Sequence, residues 1–244
     1  MIFDPEDGKT LTGRTGAPEL PLKFNAPLLL VGGGPLPGDT FAFARARCEK
    51  VVAVDGGAAA ILDLGAIPEA VIGDMDSLPD AARAAIPDAH LVHIAEQDST
   101  DFDKALRSVD APMVLAVGVT GARLDHELAV FHSLIARPDR RVIVVGEEDV
   151  VLHLPRAIDL HLPPGTRVSL FPMDGVRVSI TGLRWEFDAL DLHPARKIGT
   201  SNEMAQDQAH LCADGPGVLL ILPREALDPA MAALSAADLH SPRG

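Results

Sequence analysis

Six short apolar runs recur at near-even intervals through the first 145 residues, and they constrain the fold more than any other feature. They are "PLLLV" (27–31), "KVVAV" (50–54), "EAVI" (69–72), "HLVHI" (90–94), "PMVLAV" (112–117) and "RVIVV" (141–145). Each is almost continuously apolar, as a strand buried on both faces must be. Between them lie stretches of helical pattern at 39–49, 57–65, 79–86, 100–109 and 123–137. Strand–helix alternation with short links predicts an α/β domain with a mostly parallel sheet and flanking helices.

After about residue 147 the texture changes. Short strand-like pieces succeed one another ("VVLHL", "AIDLHL", "TRVSLF", "VRVSIT", "LRWEF", "QAHLC", "GVLLIL"), punctuated by Pro163, Pro164, Gly165, Pro172, Gly175 and Gly182. A helical pattern returns only near 225–237. This predicts a smaller all-β domain, a sandwich or barrel. Residues 1–22, rich in Gly, Pro, Thr and charge, read as a flexible arm. The expected organisation is therefore an arm at 1–22, an α/β domain at 23–147 and a β-rich domain at 148–244.

The 244 residues carry a net charge of -14. So negative a surface argues against nucleic acid and against anionic lipid. No apolar run approaches the roughly 20 residues that span a bilayer. The start, "MIFDPEDGKT", lacks the basic and apolar regions of a signal peptide. The two cysteines, Cys48 and Cys212, are far apart and in no metal-binding spacing. The expected location is the cytoplasm, with both thiols reduced.

The segments at the strand ends are the second informative feature. "GGGPLPGD" (32–39), "DGG" (55–57), "GDMDS" (73–77), "AEQDSTD" (95–101) and "GVTGARLD" (118–125) each end an expected strand. In a parallel sheet these ends share one edge, where open α/β sheets bind ligands. Gly32, Gly33 and Gly34 let backbone approach a phosphate closely, and Asp55 ends a strand before Gly56 and Gly57 open a helix whose N-terminus attracts anions. No G-K-[ST] and no G-x-G-x-x-G is present.

Asp74 and Asp76, two apart in extended chain, are expected to project to one side, where paired carboxylates call for a cation. Oxygen-only ligands select a hard ion, Mg2+ above all, shared with substrate phosphates. Asp98 and Asp101 lie in the next loop. Thr100 is placed to cap a helix whose first turn holds Asp101 and Asp103, and Lys104 comes next. Arg123 can fork onto phosphate oxygens beside Asp125, and His126 is a further candidate. No Ser-His-Asp order and no cysteine beside an evident base is visible, so covalent nucleophilic catalysis is not expected. The set suits metal-dependent handling of a polyphosphate.

The motifs "DGG", "GDMDS", "QDSTDFDKAL" (97–106), "TGARLDHELA" (120–129) and "TSNE" (200–203) occur in the order of the thiamine pyrophosphokinase family, and the chain resembles it from about 27 to 223. The resemblance implies an α/β catalytic domain, a β-rich thiamine-binding domain and a homodimer. The implied reaction moves the terminal pyrophosphate of ATP to thiamine, giving thiamine diphosphate and AMP. On matching positions, Asp74, Asp76 and Asp101 become the Mg2+ centre, with Asp98 and Asp55 as supporting acids. Lys104 and Arg123 neutralise phosphate, and Asp125 orients the arginine or contacts substrate. Ser201 and Asn202 form the thiamine side. Trp185, in "GLRWEF", is expected in the core. Ala122, Val130 and Gln97 depart from the family pattern. Two rival readings are a pyrophosphokinase for another hydroxymethyl heterocycle such as a pterin, and a non-catalytic nucleotide or thiamine sensor.

Overall fold

The computed structural model describes residues 19–96 and 98–242. The expected arm falls mostly outside them. Its last four residues, 19–22, do not: β1 (Leu22–Lys23) pairs in parallel with β6 (Val109–Asp110), and Phe24 N–H donates to Asp110 O at 2.8 Å.

The contacts divide the chain into two compact units, one ending at Ser133 and the other beginning at Leu134. In the first unit, β2 (Leu28–Val31), β3 (Lys50–Val54), β4 (Ala70–Gly73), β5 (Leu91–His93) and β7 (Val114–Val117) form a parallel sheet in the order β7-β2-β3-β4-β5. β2, β4, β7 and β3 after its exposed Lys50 are buried along their length, which is why their sequence shows no alternation. The crossovers are α1 (Gly38–Arg45), α2 (Gly57–Asp63), α3 (Asp80–Ala85) and α4 (Asp101–Ser108). α2 packs on β2 and β3, and α4 on β3 and β4.

The chain walks outward from β2 to β5 and then returns to place β7 on the other flank of β2. The strand order therefore reverses between β2 and β7, and a crevice opens at their carboxyl ends. α5 (Leu124–Ala136) comes after β7.

The second unit is antiparallel throughout. β8 (Val142–Val145) and β9 (Asp149–His153) pair with each other, and β16 (Val218–Pro223), β11 (Arg167–Pro172) and β14 (Gly199–Glu203) continue in that order beyond β9. A separate sheet has the order β10 (Ala157–His161), β15 (Gln208–Ala213), β12 (Val176–Thr181), β13 (Phe187–Leu192). α6 (Leu227–Ala236) packs on β10. Two expectations change. The sheet expected to be mostly parallel is mixed, because β8 ("RVIVV") pairs antiparallel with β9 and the strands beyond β9 continue antiparallel. "LRWEF" is not a strand: it is a turn bridged from Leu183 to Met204, and strand pairing begins only at Phe187.

No helix among the described residues is long and apolar enough to cross a membrane.

One buried group gives the second unit a pH response. His240 is 8% exposed, its Nε2 has no hydrogen-bond partner, and its ring lies 5.4 Å from that of His153. Burial, aided by Arg156, holds its pKa below the usual 6.5 against the opposing pull of the Leu154 backbone. The unfolded chain then binds the proton more readily than the fold. Stability is complete above pH 6.5 and declines as pH falls toward the lower folded value. The thermal midpoint should drop on acidification below pH 6.5, and His240→Phe should flatten that slope. An unchanged slope would assign the response elsewhere.

Candidate functional site

Three strand-end loops are pressed together with almost no room. A Cβ on Gly57 would sit 2.0 Å from Val31 O, inside any permitted contact, so only glycine fits where α2 starts under the first loop. A Cβ on Gly73 would lie 2.9 Å from Asp55 Cβ, and one on Gly56 would lie 3.3 Å from Ser77 O. On the other side, Gly34 N–H donates to Gly118 O at 2.7 Å across the β2/β7 reversal. The Gly34 amide, expected to approach a phosphate, is therefore occupied in joining the two loops. Gly33 is exposed at the tip, in ordinary contact with Gly56 and Gly57.

Beside them the acids collect. Asp55, Asp74 and Asp101 each direct a carboxylate oxygen into one space, and these oxygens lie within 4.8 Å of one another. The membership differs from expectation. Met75 has φ 67, so the chain turns between Asp74 and Asp76 instead of running extended. Asp76 is carried to the exposed rim, where its carboxylate accepts from Ser77 Oγ at 2.9 Å and its N–H donates to Asp74 Oδ1 at 3.3 Å. Asp55 takes the inner place. It is itself left-handed at φ 44, a conformation that aspartate tolerates better than most residues.

Asp55 is 5% exposed, and its Oδ1 has no hydrogen-bond partner. Burial raises its pKa, and the nearby charges of Asp101, Asp74 and Asp76 push the same way, against a hydrogen bond from Ser77. Lys104, 1% exposed, reaches Asp101 Oδ1 at 2.9 Å and Asp74 Oδ2 at 3.5 Å. Three carboxylates against one ammonium leave an excess of two negative charges. A buried oxygen with no donor, in an all-oxygen set, fits a hard divalent cation.

α4 brings in Asp101 and Lys104 together. Thr100 caps it, accepting from Asp103 N at 3.3 Å. Asp103 pairs with Arg107 one turn on at 3.1 Å. Arg107 also reaches Glu96 at 2.6 Å and Ser99 Oγ at 2.8 Å, fastening the loop before the helix to its side. Glu96 and Arg107 were not expected; the i, i+4 spacing of Asp103 and Arg107 was the one signal available. Asp98 is exposed on that loop, outside the trio. Gln97 lies outside the described residues.

Arg123, just before α5, and Asp125, in its exposed first turn, form a two-pronged pair at 3.1 and 2.6 Å. Each lifts or lowers the other's pKa in the sense of keeping both charged. Gly121 N–H donates to Glu127 Oε2 at 3.0 Å, shaping the turn that presents the arginine. His126 is exposed.

In the second unit, Ser201 sits on a bulge of β14 against β11, with φ 62, exposed, its N–H donating to Ser169 Oγ at 3.0 Å. Asn202 is buried and acts as a latch. Its Oδ1 accepts from Trp185 N at 3.2 Å and Glu203 N at 2.9 Å, and its Nδ2 donates to Trp185 O at 2.9 Å. Trp185, expected in the core, is 54% exposed, with the Arg184 guanidinium 4.9 Å from its ring centre. The turn that replaces the expected strand displays the indole, and Asn202 fixes the backbone beneath it. Asn202→Ala should cost about 1–3 kcal/mol. It should also lower the fluorescence anisotropy of this single tryptophan; unchanged anisotropy would refute the latch.

Two family models cover most of this geometry. The thiamin pyrophosphokinase catalytic domain matches residues 44–145, which contain all three inner acids and Lys104. The thiamin pyrophosphokinase vitamin B1 binding domain matches residues 150–214, which contain Trp185, Ser201 and Asn202. The chain belongs to the thiamin pyrophosphokinase family.

Family members from distant sources agree. Thiamin pyrophosphokinase 1 of Caenorhabditis elegans is 29% identical over 180 residues, covering 66% of this chain and 73% of that protein. Thiamine pyrophosphokinase 1 of Arabidopsis thaliana is 23% identical over 60% of this chain, and the match spans 62% of the plant protein's own length. The crystal structure of thiamin pyrophosphokinase from Geobacillus thermodenitrificans superposes with a TM-score of 0.66 at 27% identity, covering 81% of this chain and 96% of that one. The fold also matches thiamin pyrophosphokinase from Candida albicans, with a TM-score of 0.69, 15% identity, and coverage of 82% and 89%.

Proposed function

We propose that this chain transfers the terminal pyrophosphate of ATP to thiamine, giving thiamine diphosphate and AMP, in a Mg2+-dependent reaction. The observation that carries the reading is the trio Asp55, Asp74 and Asp101, gathered within 4.8 Å around an unpartnered buried oxygen in a chain of this family. Asp74 and Asp101 would hold Mg2+ with Asp55, and Asp76 and Asp98 would act from the rim. The ion supplies charge neutralisation for the phosphate oxygens. Pyrophosphoryl transfer asks little covalent chemistry of the protein; it needs alignment and charge compensation.

The side chains divide that work. Lys104, paired with Asp101 and Asp74, would hold both carboxylates in place. Arg123, held by Asp125, would fork onto phosphate oxygens. Gly33, Gly34, Gly56 and Gly57 let the β2 and β3 loops lie close under the nucleotide. Ser201 and the indole of Trp185, steadied by Asn202, would receive the thiamine rings. In this reading, residues 23–147 are the catalytic domain and 148–244 the thiamine-binding domain. Exposed Leu124 and Leu128, one turn apart on α5, would lie in a homodimer contact. Two free cysteines fit a reducing compartment such as the cytoplasm.

The test is direct. With ATP, Mg2+ and thiamine, AMP should appear in step with thiamine diphosphate. ADP as product would indicate a simple kinase. AMP formed with a hydroxymethylpterin but not with thiamine would overturn the substrate, and no turnover of either would favour a sensor. Light scattering tests the dimer.

A further inference from the structure

The separate four-stranded sheet has one apolar face and one polar face. Ile158, Leu160, Ala209, Leu211 and Ala213 are buried, and the residues alternating with them turn outward. On the outward face Asp159 of β10 stands directly opposite His210 of β15, and Cys212 lies two residues further along β15. This cysteine does lie beside a base, contrary to expectation. His210 Nδ1 is 2.8 Å from Asp159 Oδ1, and Cys212 Sγ is 2.8 Å from His210 Nε2. A carboxylate only accepts, so Nδ1 carries the imidazole proton and Nε2 is left to accept from Sγ–H. Thiol, base and orienting acid thus stand in line, the order that activates a nucleophile.

Cys212 also lines a cavity of about 380 Å³. Its charged lining is of both signs: Arg156 and Arg177, with Asp214 and Asp238. Arg156 reaches Asp238 at 3.5 Å, Arg177 reaches Asp191 at 2.9 Å, and Arg177 N–H donates to Asp214 Oδ1 at 3.0 Å. A wall with guanidinium and carboxylate groups suits a zwitterion, whose carboxylate and ammonium each find a partner. Cys48 offers the contrast. It is buried, and burial pushes its thiol up to about 12.

We propose that Cys212 is an activated thiol that forms a mixed disulfide with small zwitterionic disulfides of amino-acid type. Sγ–H passes its proton to His210 Nε2, and Sγ attacks one sulfur of the incoming disulfide. The S–S bond breaks, its electron pair leaves on the departing sulfur, and His210 returns the proton to that sulfur. One thiol and one disulfide enter; one mixed disulfide and one thiol leave, so no other oxidant is required.

The probe is cystine, with neutral 2-hydroxyethyl disulfide as control, each rate divided by its rate with N-acetylcysteine. Modification of the reduced, full-length protein is monitored at pH 7 by peptide mass spectrometry. Cys212 should be modified and Cys48 should not. His210→Asn should slow modification of Cys212 by about 10- to 100-fold. Asp159→Asn should slow it less, and it carries the same test if the histidine variant does not fold. Cystine should be favoured over the uncharged disulfide, and Arg177→Gln should reduce that preference. Unchanged rates in both the His210 and Asp159 variants, or Cys48 reacting as fast as Cys212, would overturn the activated thiol. Equal normalised rates for the two disulfides would overturn the zwitterion.

Discussion

Asp55→Asn should raise the melting temperature of the metal-free protein and, in the same molecule, abolish turnover. The carboxylate is buried, one oxygen has no donor, and three other acids raise its pKa along with burial. An amide of the same shape removes the charge and brings N–H groups that can donate to Asp74 or Asp101. It also tolerates the left-handed backbone at φ 44. The expected gain is about 1–2 kcal/mol, or roughly 2–8 °C for a chain of this size. Turnover should fall by about 10²–10³ or more, because under the proposed function a divalent cation would lose one charged oxygen ligand. Function placed on a destabilising group has this opposite-sign signature. Differential scanning calorimetry and an AMP assay read the two arms. A lower melting temperature, or near-normal turnover at saturating Mg2+, would take Asp55 out of the centre.

Lys104→Met should act in the other direction on stability. The ammonium is almost fully buried between Asp101 at 2.9 Å and Asp74 at 3.5 Å. Removing it leaves the acids uncompensated, at a cost of about 3–5 kcal/mol. Under the proposed function Mg2+ would neutralise the same carboxylates in the folded chain, and it should then restore part of that loss. The urea midpoint, taken with and without Mg2+, reads both effects. If the variant is as stable as the parent, or if Mg2+ shifts both proteins equally, the lysine and the ion do not share those acids.

Much of the first unit was legible because its signals are local. A strand buried on both faces writes itself as an unbroken apolar run, and β2, β4, β7 and β3 after Lys50 were visible so, while β5 showed only as a shorter β-rich piece. Convergence of the loops came with parallel pairing. Which acids meet did not. Asp74 and Asp76 look alike in sequence, and the turn at Met75 that separates them depends on a positive φ at a residue with no preference for it. Asp55 enters the trio because glycines beside it allow loops from different strands to touch.

In the second unit "TSNE" was visible as a motif, but the use of Asn202 was not. Its partners, Trp185 and Glu203, include one 17 residues away. The exposure of Trp185 was hidden because large aromatic residues are usually buried, and nothing local shows that "GLRWEF" turns instead of pairing. The line of Asp159, His210 and Cys212 needs the register of β10 on β15, which hydrophobic alternation alone does not supply.

The contact between Gly57 and Val31 O has a mechanical meaning. Where a side chain would have acted as a cushion, bare backbone meets bare backbone, and the joint has no slack. A ligand that presses the chain at the end of β2 toward α2 would push the start of that helix with it, and Asp55 is the second residue before that start. Occupancy at the glycine loop would therefore be felt at the acids as a change of position, with no relay of side chains between them.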